Sequence, residues 1–139
     1  MTEIILGYGH ENVKATHRST LEFTKEQHLS KKGDCIIAVA ADKTFNDLSD
    51  EFRKKLRDPN TKLIITIEAG EKTEKIIAHG CKQLSLKHPS DMVVRKSNYV
   101  CSRTLAVNAS KSSRDLSRDL VEKLKNPNQK VKITLELDI

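Results

Sequence analysis

Apolar and polar positions along the chain follow a strand rhythm, then a helix rhythm, then a strand rhythm again. Across 13–24, Val13, Ala15, Leu21 and Phe23 share one parity, while Lys14, Thr16, Arg18, Thr20, Glu22 and Thr24 take the other. That period of two predicts a half-buried strand. The run CIIAVAA over 35–41 is continuously small and apolar, which predicts a strand covered on both faces. Thr44 stands three residues before Asp47, a hydroxyl N-cap with a carboxylate placed to meet the free amides and the helix dipole. Phe45, Leu48, Phe52 and Leu56 follow at helical spacing and predict one buried helix face. Asp58-Pro59-Asn60 then stops the helix, because proline fixes its backbone angle and the flanking side chains bond back to the main chain. Leu63, Ile65 and Ile67 alternate with Thr66 and Glu68 in a last predicted strand.

The same series occurs again. Residues 37–69 lie on 105–137 at a constant offset of 68 positions without a gap. Ala38, Val39, Ala41 and Lys43 meet Ala106, Val107, Ala109 and Lys111, and Asp47, Leu48 and Ser49 meet Asp115, Leu116 and Ser117. The second cap is Ser112 with Asp115, and the second helix face is Leu116, Leu120 and Leu124. Asn126-Pro127-Asn128 forms the second stop, and Val131, Ile133 and Leu135 belong to the second closing strand. A looser correspondence sets 13–24 on 76–87, with Ala15 on Ala78, Leu21 on Leu84 and His17 opposite Gly80. The expected architecture is mainly β, barrel- or sandwich-like, with two helices. It is built from an internally duplicated strand-strand-helix-strand unit with pseudo-two-fold symmetry. One domain spans 1–139, with repeats of about 1–70 and 71–139 meeting at Gly70-Glu71-Lys72. A unit of roughly 60 residues is marginal alone, so a shared core is expected.

Composition narrows the class. The 139 residues are 37% hydrophobic and 32% charged, enough to bury a core under an ionic surface, and no run approaches the roughly 18–20 apolar residues of a bilayer span. Cys35, Cys81 and Cys101 are odd in number and lack CxxC spacing, which argues against a disulfide framework and a zinc site. Reduced thiols in a cytoplasm are expected. His79 and Cys81 alternate on one predicted strand face, but two ligands do not make a metal site, and neither a metal nor a cofactor is expected. GxGxxG, Walker A, GxSxG and HExxH signatures are absent, so no standard enzyme class is indicated.

Candidate chemistry lies where the two halves differ. One group is His17, Asp34, Cys35, His88, Asp91 and Arg103, expected, if the chain is instead a small-molecule or metal-dependent enzyme or binder, to gather in a pocket at the joint between the halves. A histidine beside a carboxylate suits acid–base work, and an arginine holds an anionic group. The other group is cationic: Lys111, Arg114, Arg118 and Lys125 along the second helix, with Arg95, Lys96 and Arg103 nearby. With a formal net charge of +6, this face is expected to hold nucleic acid, a phosphorylated ligand or another polyanion. Aromatic residues are 4% of the chain and tryptophan is absent, so binding of that kind would be carried by the phosphate backbone and sensitive to salt.

The strings GHENVKATHRSTLEFTKEQHL, GDCIIAVAADK and HPSDMVVRKSNYVCSRTLAV together resemble a family of small archaeal proteins, domain-of-unknown-function family 371, over nearly the whole chain. The resemblance implies a stand-alone, duplicated, mainly β domain in an archaeal cytoplasm. It carries over no catalytic residue, substrate or partner.

Overall fold

A computed structural model describes residues 1–138. The strands are β1 (Thr2–Tyr8), β2 (Thr20–Thr24), β3 (Ile36–Ala38), β4 (Lys62–Ala69), β5 (Lys72–His79), β6 (Asp91–Arg95), β7 (Thr104–Ala106) and β8 (Lys130–Asp138). The helices are α1 (Asp50–Leu56) and α2 (Arg118–Leu124). Two four-stranded sheets result, ordered β1-β8-β4-β5 and β3-β2-β6-β7. The first is antiparallel throughout. In the second the central pair β2–β6 is antiparallel and each outer strand is parallel to its neighbour.

The mainly β class with two helices is as the sequence predicts, but eight strands replace the expected six. The two sheets are stitched at both edges, since isolated bridges join Tyr8 to Val39 and His79 to Val107. Strands from the first and second halves of the chain alternate in the first sheet, and β2 meets β6 across the middle of the second. Alternation is strict where one face is buried: Leu63, Ile65 and Ile67 on β4 and Val131, Ile133 and Leu135 on β8 are fully buried. They join Ile5, Phe23, Phe45, Phe52, Val94 and Leu120 in one apolar cluster drawn from both halves. Each such side chain contributes about 1.5–3 kcal/mol by leaving water.

The predicted helices are shorter and stepped. Asp47 accepts from the Thr44 amide at 2.9 Å and Asp115 from the Ser112 amide at 2.9 Å, but each box caps only a single 3-10 turn. Leu48 and Leu116 then run extended, and a second start signal follows. Ser49 accepts from the Phe52 amide at 3.1 Å and opens α1. Phe45 and Leu48 are therefore buried from the turn rather than from a continuous helix face. The Glu3 carboxylate anchors the Ser49 amide at 3.0 Å and the Lys43 ammonium at 3.3 Å. Glu74 does the same for Ser117 and Lys111, at 2.8 Å each.

Other expectations are corrected. The strand expected over 13–24 forms only at Thr20–Thr24, because Ala15 takes a left-handed conformation (φ 50°) that breaks extended backbone. The 35–41 run is a strand only over Ile36–Ala38 and ends at Ala40 (φ 53°). The N-terminal stretch Thr2–Tyr8 forms strand β1.

His17 corresponds in place to His88, not Gly80. The Nδ1 of His17 accepts from the amides of Ser19 and Thr20 at 3.2 and 3.1 Å. That of His88 accepts from Ser90 and Asp91 at 3.3 and 2.9 Å. Gly80 sits instead where Gly9 does: a Cβ on Gly80 would overlap the main-chain oxygens of Leu56 and Asp58, and one on Gly9 those of Leu124 and Asn126. This close approach lets the amides of Cys81 and His10 reach the Leu56 and Leu124 carbonyls, each at 2.9 Å, satisfying carbonyls left free at the helix ends. Contacts before β3 thus recur 71 positions on, and those after it 68 positions on. The difference lies in the connections 25–35 and 96–103. Gly70 (φ 62°) turns the hairpin between β4 and β5, where the joint was expected.

Candidate functional site

The outer face of the second sheet carries what the core face excludes. Pleating sends Leu21 and Phe23 inward and Thr20, Glu22 and Thr24 outward, yet all five residues of β2 are buried. Across the β2–β6 pair, Glu22 lies opposite Val93, and Thr24 opposite Asp91.

Glu22 is about 5% exposed. Its Oε1 lies 3.7 Å from Nη1 of Arg103, and the same nitrogen lies 3.6 Å from Oδ2 of Asp91. Asp91 Oδ1 accepts from the hydroxyls of Thr24 at 2.8 Å and Ser90 at 3.0 Å. The Cys35 thiol points at Glu22 Oε1 from 3.6 Å. Burial, reinforced by the Asp91 charge, pushes the Glu22 carboxyl up to about 7 against the pull of Arg103. Burial and the Glu22 charge push the Cys35 thiol up to about 11, which keeps it protonated and a poor nucleophile at neutral pH.

Arg103 also leads to a second thiol. Burial raises Cys101, but the Arg103 amide, the Thr104 hydroxyl and the Arg95 guanidinium outweigh it and bring the thiol down to about 7. Arg95 Nη2 lies 3.1 Å from Cys101 Sγ, while its Nε donates to Thr104 Oγ1 at 3.0 Å. The Arg95 guanidinium stacks 4.9 Å from the Tyr99 ring centre.

Of the six residues expected to gather, Cys35, Asp91 and Arg103 do. His17 and His88 do not join them through Nδ1, which is taken by main-chain amides in the turns before β2 and β6. Asp34 flanks the site through its carbonyl, which accepts from Thr16 and His17 at 2.9 and 3.2 Å.

The cationic set is mostly engaged. Lys96 pairs with Asp115 at 3.2 Å, Lys111 with Glu74 at 2.8 Å and Lys125 with Glu122 at 3.2 Å. Arg118 donates to the carbonyls of Ala15, Ser113, Arg114 and Leu116. Arg114 is exposed and, among the described residues, makes no ion pair. Glu22 and Cys101 were missed as site residues. The alternation around Glu22 marks it as an outward surface residue, and nothing in that rhythm reveals that neighbouring chain covers this face. Among the described residues, no three metal-ligating side chains converge.

Fold and site together define a mainly β protein of two stitched sheets with an acidic pair, Glu22 buried and Asp91 half-buried, at the β2–β6 joint. The chain belongs to the family described as Domain of unknown function (DUF371), whose model matches residues 5–138. It is 52% identical over 125 residues to an uncharacterised protein of the archaeon Methanocaldococcus jannaschii, a match covering 90% of this chain and 92% of that one. No described helix is long and apolar enough to cross a membrane.

Proposed function

We propose that this protein, built of two copies of one unit, binds a small polar molecule on the outer face of its second sheet and exchanges a proton with it through Glu22. The observation that carries the reading is the shared guanidinium: Glu22 and Asp91 flank one nitrogen of Arg103 at 3.7 and 3.6 Å, with Glu22 almost wholly buried. A carboxyl that titrates near 7 holds or releases a proton at neutral pH, the condition for general acid–base work. Arg103 is the more exposed partner, with 44% of its side chain open to solvent. It is therefore the group that meets a ligand first, and its displacement uncovers the acid beneath. The three free thiols suit a reducing cytoplasm.

Binding of nucleic acid or another polyanion is supported by the net charge of +6, but Arg114 is the member of the cationic set most available for it. Amide NMR of the full chain separates the two readings. A panel of small carboxylates, amides and polyols is added at pH 6 and pH 8 to wild type and Glu22→Gln, with an oligonucleotide as the rival probe. Shifts clustered on β2, β6 and Arg103 are expected from the small molecules, with a dependence on pH that Glu22→Gln abolishes. Shifts centred on Arg114 with the oligonucleotide, and none at β2–β6 with any small molecule, overturn the reading.

A further inference from the structure

An open cleft of about 520 Å³ is lined by Cys81, Gln83, Ser85, Asn98 and Cys101 among others. Its size suits a small molecule. Two thiols line one space with different partners. Cys81 Sγ donates to Gln83 Oε1 at 3.0 Å, whereas Cys101 Sγ lies against the Arg95 guanidinium at 3.1 Å. Ser85 belongs to the lining of the same cleft, and its hydroxyl is buried beneath that surface with no hydrogen-bond partner among the described residues. The rest of the lining offers amides and hydroxyls rather than charge.

The cleft is particular to the second half. The places of Cys81, Gln83, Ser85 and Cys101 are taken in the first half by His10, Asn12, Lys14 and Gly33. The equivalence holds in the contacts: Cys81 and His10 donate to the corresponding helix-end carbonyls, and the Cys101 and Gly33 carbonyls accept from Thr104 and Ile36 at 3.1 and 3.3 Å. Neither thiol serves the repeated scaffold.

We propose that Cys101 captures a small, uncharged disulfide in this cleft. The Cys101 thiolate attacks one sulfur of RS–SR. A Cys101–SR bond forms, the S–S bond breaks, and RS⁻ leaves and takes a proton from solvent. The step consumes no oxidant beyond the disulfide itself. Arg95 acts as a positioning residue that holds the sulfur anionic. The thiol at about 7 is matched to neutral pH, where exchange is fastest. The Cys35 thiol, pushed up to about 11, stays silent.

The test treats the full chain with 2-hydroxyethyl disulfide from pH 5 to pH 9 and follows each cysteine by peptide mass spectrometry. Cys101 is expected to be modified first, with a rate half-maximal near pH 7. At pH 6 its thiolate is about thirtyfold more abundant than that of an ordinary thiol. Weaker nucleophilicity reduces the rate advantage to about fivefold. Arg95→Gln moves the midpoint up towards the ordinary thiol range and Arg95→Lys restores it. Modification of Cys81 ahead of Cys101, or a midpoint near that of a free thiol that ignores Arg95→Gln, overturns the proposal. The readout is modification at Cys101 and not proton exchange at Glu22, so failure here is distinguishable from failure of the proton-exchange reading.

Discussion

Replacing Glu22 by Gln removes one ionisable group from a place where about 5% of the residue reaches solvent. The shape is kept, and so is the oxygen that faces the Cys35 thiol at 3.6 Å. In the folded protein the carboxyl titrates at about 7, above its ordinary value of 4.5. Folding therefore favours the protonated form. That contribution is fully present below the unfolded value, is lost as pH rises from about 4.5 to 7, and is absent above. The gap is worth about 3 kcal/mol, a large share of the roughly 5–15 kcal/mol that holds a domain of this size together. Most of it falls between pH 5 and pH 8. Urea unfolding at those two pH values measures it: wild type is expected to lose about 2–3 kcal/mol more than Glu22→Gln on going from pH 5 to pH 8. The variant should be the more stable of the two at pH 8. Parallel losses in the two proteins would mean that Glu22 is hydrated or fully compensated by Arg103, and the electrostatic account of the site would fall with it.

Two further outcomes test the scaffold. Arg118→Met should cost about 1–2 kcal/mol in urea unfolding, because a charged donor that ties Ala15 to the 3-10 turn at 113–115 is lost. Arg114→Ala should change stability by less than about 0.5 kcal/mol, as exposed substitutions do. Equal effects of the two would refute the clamp assigned to Arg118. Gly80→Ala places a methyl group against the Leu56 and Asp58 carbonyls and should destabilise by about 2 kcal/mol or more. An unchanged thermal midpoint would show that the chain yields there without strain.

The sequence by itself determined the parts of this protein that rest on local period and local chemistry. The alternation of Leu63, Ile65 and Ile67 and of Val131, Ile133 and Leu135 specified two strands with a buried face, because a strand shows its side chains to opposite sides in turn. The caps at Thr44 and Ser112 and the prolines at 59 and 127 bracketed the helical segments, though the boxes close single 3-10 turns and Ser49 starts α1. The loop 13–19 resembles a strand in its sequence because alternating burial of Val13 and Ala15 looks the same in an irregular segment. Only the positive φ of Ala15 distinguishes it. What tertiary structure alone decided is the pairing of β2 with β6, which sets Glu22 beside Asp91 and beneath Arg103. Those residues are 69 and 81 positions from Glu22 in the chain. Their effect on its proton comes from burial and from charges a few ångströms away, and both depend on which strands become neighbours.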